Sequence, residues 1–264
     1  TGRFKPAWSN NPAWVFYDLV TNERYGIGEM IGSFGVDKFA LYAIARYCDE
    51  LVDDGFGNKE PRFTFNAYIT SQRKAKEVID DLASVFRGMP LWDGQQLTCF
   101  QDRPSDPVWT YTNSNVIDGK FKYTSTAKSA RHNAIEVSWI NPSNGWSEER
   151  EFIQDDDLIQ RFGGVNVKKV TAFGCTSRGQ AHRVGKWILQ TEKLEKDSVT
   201  FSTGREGINC ISGDIIEVAD DSFAGVMVGG RVFSVNGSTI TVDAPIDWKY
   251  DDKGTFSFLG ASGG

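Results

Sequence analysis

The chain offers two histidines, His132 and His182, and four cysteines, Cys48, Cys99, Cys175 and Cys210, for nucleophilic or metal chemistry. A zinc site would need a histidine joined by cysteines or carboxylates at ligand spacing, and neither histidine has such neighbours in the sequence. His182 falls among Arg178, Arg183 and Lys186 on a predicted helix, which reads as a solvated polar face. No serine sits in a G-x-S-x-G turn and no cysteine in a recognised nucleophile context, although a triad assembled only in space leaves no mark on spacing. The cysteines lie far apart and form no CxxC pair. A disulfide framework is usually denser and serves a smaller chain, so these read as free thiols.

The acidic clusters are equally quiet. Calcium loops place carboxylates on alternate positions with a glycine and a distal glutamate. Asp53 to Asn58, Asp155-Asp156-Asp157 and Asp220-Asp221 do not follow that pattern. Asp155 to Asp157 instead suit the N-terminal cap of a short segment, Leu158 to Phe162. A glycosidase needs two carboxylates roughly 5–10 Å apart, a distance that spacing does not reveal. The run Gly26-Ile27-Gly28-Glu29-Met30-Ile31-Gly32 resembles a dinucleotide fingerprint, but its last glycine falls one residue late. No strand precedes it, because Trp14 to Tyr25 reads as helix. These glycines suit a turn or a close-packed backbone. Of the eight tryptophans, Trp139 and Trp187 fall on apolar faces and read as core, while Trp92, Trp109 and Trp248 lie near loops and are the candidates for stacking on a sugar. Expected catalytic, cofactor-binding and metal-ligating residues are therefore none.

Periodicity supplies the elements that would position any such groups. Asn11-Pro12 starts a helix, with proline at the first position, and Trp14, Val15, Leu19 and Val20 share a face. Asp37 caps a second helix in which Phe39, Ile44, Tyr47 and Leu51 recur at roughly helical spacing. Asp53-Asp54-Gly55-Phe56-Gly57-Asn58 closes that helix, and Pro61 marks a boundary. From Arg62 the period changes to two, so Phe63, Phe65, Ala67 and Ile69 predict a strand. Ser71 caps a helix with Ala75, Val78, Ile79, Leu82 and Phe86 on its core face; strands begin at Leu91 and Leu97. Ala134 to Ile140 and Glu149 to Ile153 flank the polar turn Asn141-Pro142-Ser143-Asn144-Gly145 as a hairpin. Val167, Val170 and Phe173 form a strand, Ser177 caps a helix carrying Ala181, Val184, Ile188 and Leu189, and Val199 and Phe201 lie in a following strand. The junctions Ala67 to Ser71 and Ala172 to Ser177 align with one inserted residue, which raises the question of a repeated module. The stretch Gly213 to Ile246 packs short alternating runs between turn formers. Its Asn236-Gly237 pair between two such runs is a strong hairpin signal, and the whole stretch is barrel or sandwich material.

At 264 residues, with 40% hydrophobic and 13% aromatic content, the chain can bury a sizeable core in two or three small domains or one large one. Basic residues number 29 against 35 acidic, a net charge of −6. That balance, and the acids diluting Arg73, Lys74, Lys76, Lys168 and Lys169, argue against specific nucleic-acid binding. No apolar run approaches the roughly 18 residues of a membrane span. The chain opens on Thr1 and ends in Gly260-Ala261-Ser262-Gly263-Gly264, and reads as a piece of a longer protein with a flexible tail.

From about Phe4 to Ile246 the chain resembles the central part of the tail-tip, or host specificity (J-like), proteins of lambda-like siphophages and prophages. The residues that carry this begin with Lys5-Pro6-Ala7-Trp8, Asn11-Pro12-Ala13-Trp14-Val15, Tyr17-Asp18-Leu19 and Arg24-Tyr25-Gly26. Asp80-Asp81-Leu82-Ala83-Ser84-Val85-Phe86-Arg87-Gly88-Met89-Pro90, Arg131-His132-Asn133 and Gly179-Gln180-Ala181 follow. Gly213-Asp214-Ile215-Ile216 and Phe223-Ala224-Gly225 complete the set. Their order and spacing, more than any single motif, make the match specific.

The resemblance implies an α+β, multi-module fold in which small β-barrel or sandwich domains accompany strand–helix–strand–strand modules, as in phage baseplate and tail hubs. It divides the chain into an N-terminal helical segment over 1–60, a first α/β module over 61–130, a hairpin with a second α/β module over 131–204, and a β-barrel-like hub domain over 205–260. It also implies a non-enzymatic virion protein at the tail tip: a homotrimeric hub in the full-length protein, meeting other tail-tip and distal tail proteins and the tape measure protein. The host outer-membrane receptor would be met only indirectly, through downstream regions, during attachment and DNA delivery. A repeated module would let three subunits match a six-fold tube. Two other readings compete: a host-surface carbohydrate-binding module using Trp92 or Trp109, and a tail-associated cell-wall hydrolase.

Overall fold

The computed structural model describes residues 7–32, 35–70, 73–92, 96–125, 131–221, 232–236 and 239–242. Among the described residues six α-helices run in the order α1 (Pro12–Thr21), α2 (Gly28–Ile31), α3 (Lys38–Asp49), α4 (Ala75–Val85), α5 (Asp156–Phe162) and α6 (Arg178–Leu194). The first strands are β1 (Leu51–Asp53), β2 (Lys59–Pro61), β3 (Gly88–Trp92), β4 (Leu97–Gln101), β5 (Trp109–Thr112) and β6 (Lys122–Ser125). After them come β7 (Ala134–Asn141), β8 (Ser147–Gln154), β9 (Val167–Thr171), β10 (Asp197–Thr200), β11 (Ile216–Ala219), β12 (Val232–Asn236) and β13 (Thr239–Val242). The chain forms two compact units, Thr1–Pro104 with Thr124–Ser198, and Ser105–Tyr123 with Val199–Gly264.

In the first unit the Asn11 side chain caps α1 by accepting from the Ala13 amide at 3.0 Å, and its Nδ2 donates to the Ala45 carbonyl at 2.8 Å. The helix stops at Thr21, short of the expected Tyr25, because the Asn22 carboxamide turns the chain by accepting from the Arg24 amide at 2.9 Å. Gly26 then passes so close to α1 that a Cβ there would stand 1.8 Å from the Leu19 carbonyl oxygen. The glycine run is therefore close-packed backbone. Asp37 caps α3 through the amides of Phe39 and Ala40. Its buried face is Leu41, Ile44, Ala45 and Cys48, spaced i, i+3, i+4, i+7 as an amphipathic helix requires. The expected face of Phe39, Ile44, Tyr47 and Leu51 followed large side chains instead of that period. Phe39 is 61% exposed, and Leu51 is 66% exposed and already in β1. Asp53 to Asn58 does not close the helix, which ends at Asp49 ahead of β1; it turns the β1–β2 hairpin, with the Asp54 carboxylate accepting from the amides of Phe56 and Asn58.

Residues 62–70 form no strand, contrary to their alternation. Phe63 and Phe65 are buried, but Ala67 and Ile69 are exposed. The reason lies in where the backbone donors go. Amides 62, 63, 65 and 66 bond to the carbonyls of Glu50, Cys48, Asn10 and Gly174, four separate places, so no ladder can form. α4 begins with Lys74 in the capping position and no side-chain cap bond; Ser71, the expected cap, lies outside the described residues. Beyond it β3 and β4 pair antiparallel. Phe16, Val20, Leu41, Leu82 and Phe86 build the core beneath, with Phe16 and Phe86 edge to face at 6.1 Å between ring centres.

The expected hairpin is β7 with β8, and β9 adds in parallel on the other side of β7. Asp155 caps α5 by accepting from the Leu158 amide at 3.1 Å, as expected. Ile135, Val137, Trp139 and Ile153 pack with Ala181 and Leu189 of α6 as a second core. This half enters its helix from a paired strand. The earlier half enters α4 from exposed residues 67–70 without a ladder and leaves into an antiparallel hairpin. Among the described residues the two modules do not share their elements, so they offer no repeated surface to match a six-fold tube.

In the second unit β5 pairs in parallel with β11, Trp109 opposite Ile216. Buried Tyr111 packs on Phe201 at 4.8 Å between ring centres, and Phe121 on Phe201 at 5.2 Å. Buried Asp220 accepts from Asn113 Nδ2 at 3.2 Å and from the Tyr123 hydroxyl at 2.9 Å. β12 and β13 form the expected hairpin, Asn236 opposite Thr239. Among the described residues the sheets have two or three strands and none closes into a barrel. Lys5-Pro6, Phe223-Ala224-Gly225, Gly237, Trp248 and residues 260–264 lie outside the described residues.

Gly174 adopts a φ of +63°, and a Cβ there would stand 2.3 Å from the Phe65 ring. Gly174→Ala therefore combines left-handed strain with overpacking and should cost about 2–3 kcal/mol. Urea unfolding measures this, and Gly164→Ala, where a Cβ meets open space, should stay within about 0.5 kcal/mol.

Candidate functional site

Burial pushes the thiols of Cys48 and Cys99 up to about 12 and that of Cys175 up to about 11. All four cysteines are free. A thiol becomes a nucleophile by losing its proton, so these three serve as small core residues.

The polar groups of the first unit gather instead along α6. Ser177 caps it by accepting from the Gln180 amide at 3.3 Å. Ser177-x-x-Gln180 has the spacing of a capping box, in which the glutamine would reach back to the cap. It reaches elsewhere. Gln180 is 2% exposed; its Oε1 accepts from the Thr64 amide and hydroxyl, each at 3.0 Å, and its Nε2 donates to the Thr64 carbonyl at 3.0 Å. The side-chain amide thus pairs with Thr64 as a neighbouring strand would. Beside it, Arg183 donates to Glu60 at 2.7 Å and to the Arg62 carbonyl at 3.0 Å, and the Ser177 hydroxyl also donates to Glu60.

His182 is not on a solvated face. Its Nδ1 lies 3.2 Å from Glu151, a residue 9% exposed that also accepts from Arg178 at 2.9 Å. The Phe56 ring sits 4.3 Å from the Arg178 guanidinium and edge-on to the imidazole. His132 has a similar setting, 3.1 Å from Glu192, which Lys168 approaches at 3.3 Å. Burial raises the Glu192 carboxyl, but hydrogen bonds from His132 and Lys168 outweigh it, and the group is held below its ordinary value. A hydrogen bond from Lys193, with the Leu158 amide assisting against burial, lowers Asp155 in the same way. Spacing could not reveal these pairs, because each joins residues some 24 to 60 positions apart. The one local signal was Ser177-x-x-Gln180.

No set of three or more His, Cys, Asp or Glu side chains able to hold a metal occurs among the described residues. Trp139 is buried as expected, Trp187 and Trp109 are half-buried, and Trp92 is 52% exposed. No helix among the described residues is long and apolar enough to cross a membrane. Chemically, the arrangement ties two loops and a helix together.

Residues 74–235 match the family model of phage tail proteins, Phage-tail_3. The chain is 40% identical over 254 residues to the tip attachment protein J of Escherichia phage SECphi27, covering 95% of this chain and 21% of that protein. It is 38% identical over 257 residues to the tip attachment protein J of Escherichia phage SECphi4, covering 96% of this chain and 22% of that one. The chain thus spans about a fifth of the length of these curated relatives. A tail protein from Neisseria meningitidis MC58, known from its crystal structure, aligns with a TM-score of 0.45 at 16% identity, over 70% of this chain and 52% of that one. The chain belongs to the phage tail protein family, and its similarity to the two tip attachment proteins J runs over nearly its whole length.

Gln180→Leu strands the Thr64 amide and carbonyl in the interior and should cost about 2–4 kcal/mol, read as a fall in the urea midpoint. Asp155 gives a pH test. A lowered folded value means stability that is present above the ordinary aspartate value of 3.8 and lost as pH falls through the folded value. Asp155→Asn keeps a capping oxygen but loses the charge. It should be less stable than the parent by at most about 1 kcal/mol at pH 7, and the gap should close below pH 3.8.

Proposed function

We propose that this member of the phage tail protein family is a structural segment of a siphophage tail-tip attachment protein, and that three copies form a ring at the distal end of the tail tube. The observation that carries the reading is 40% identity over 95% of the chain to a tip attachment protein J. The side-chain chemistry supports it. Three thiols are held protonated by burial, and the carboxylates nearest the histidines are engaged by arginine or lysine. We assign no catalytic role.

In this reading the chain sits in the virion tail tip, meets other tail-tip and distal tail proteins and the tape measure protein, and links the tube to receptor-binding regions elsewhere in the full-length protein. Segments 1–60, 61–130, 131–204 and 205–260 would be its assembly modules. An overall charge of −6 suits a wall past which DNA must move without sticking.

The test uses the full-length protein and the assembled particle. Light scattering of the purified full-length protein should give the mass of three chains. Electron microscopy of tails carrying an antibody against this segment should place the label at the distal end. A label elsewhere on the particle, or one copy per tail, would sink the proposal, as would release of soluble fragments from host peptidoglycan by this chain.

A further inference from the structure

Arg87 lies between α4 and β3 with a φ of +59°, a left-handed conformation that a non-glycine residue adopts at a cost. Its guanidinium stands 4.6 Å from the ring centre of Trp187 and 5.4 Å from that of Phe63. Among the described residues none accepts a hydrogen bond from this side chain, and its Nε is buried without a partner. Burial pushes the guanidinium below its ordinary value; Tyr47 and Asp102 favour its charge, while Arg62 and Arg183 oppose it.

The neighbours sharpen the anomaly. Arg62 stands 4.1 Å over the Tyr47 ring and Arg103 5.8 Å from the same ring centre. The Nε atoms of Arg62 and Arg183 are also buried without partners. Glu50 pairs with Arg62 and Glu60 with Arg183, which leaves Arg87 and Arg103 with no carboxylate among the described ion pairs. A half-buried charge without a counter-ion is unfavourable, and proteins normally neutralise one. Two guanidiniums beside aromatic rings present flat, forked donors to tetrahedral oxygens, and Asp102, the carboxylate that favours the Arg87 charge, closes no ion pair with either among the described residues.

We propose that Arg87 and Arg103, with Arg62 and Arg183 adding to the field, form a binding site for a phosphate group, free or carried on a sugar that rests against Trp187 or Tyr47. The site does not depend on the ring arrangement proposed above.

Inorganic phosphate is the first probe, titrated against chloride at constant ionic strength. It should raise the melting temperature of the chain by about 5 °C at saturating concentration, and change tryptophan fluorescence in the parent but not in Trp187→Phe. Arg87→Met should melt higher than the parent without phosphate, because it removes an unpaired buried charge, and should show no phosphate shift. Arg103→Gln, on an exposed side chain, should keep the fold and bind phosphate at least tenfold more weakly. Glucose 6-phosphate separates the sources: tighter binding than inorganic phosphate marks a sugar phosphate, and equal binding a phosphate group alone. No phosphate shift in the parent, or parental shifts in both Arg87→Met and Arg103→Gln, would overturn the proposal.

Discussion

The first unit depends on where five consecutive backbone amides, 62 to 66, find acceptors. Arg62 donates to Glu50, Phe63 to Cys48, Thr64 to the Gln180 side chain, Phe65 to Asn10 and Asn66 to Gly174. Phe63 and Phe65 drive this segment into the core, and their buried amides must find acceptors; the three around them are paired as well. The acceptors come from α3 and the residue after it, from α6, from the turn before α1 and from the loop before α6. A short run with no secondary structure of its own therefore joins the helical half of the unit to the sheet half. Gln180 is the member that replaces a missing strand, since its amide offers a donor and an acceptor in the order a neighbouring backbone would.

This explains what the sequence could and could not disclose. Caps are local, so Asn11, Asp37, Asp155 and Ser177 announced their helices, and the Asn141–Gly145 turn announced its hairpin. Residues 62–70 alternate as a strand because Phe63 and Phe65 both point inward, yet alternation describes side chains and is silent on backbone partners. The core face of α3 follows helical period over aromatic size, so that Phe39 sits outside while Ala45 and Cys48 sit inside. The parallel pairing of β5 with β11 joins segments about a hundred residues apart, and nothing near Trp109 marks its partner.

The candidate site was less legible than the fold. His182 lay among arginines and a lysine in sequence, which suggested a solvated face, but folding brings Glu151 from β8 and Phe56 from the β1–β2 turn against it. Glu151 also accepts from Arg178, so the carboxylate that faces the histidine is already engaged by a second partner. Glu192 and Asp155 are held below their ordinary values by lysine or histidine donors. A general base works best when its affinity for protons lies near the working pH, and these carboxylates have been moved the other way.

What such pairs supply is a fixed geometry that resists rearrangement. Three long side chains of α6, Arg178, Arg183 and Lys193, each end on a carboxylate from outside the helix. Exposed ion pairs contribute little, but those whose carboxylates are sheltered lose more when one partner is removed than they gave when formed. Removing one therefore penalises departure from the native arrangement more than its net stabilisation would suggest. The Arg87 guanidinium differs from these, since no carboxylate pairs with it among the described ion pairs and its Nε is buried without a partner.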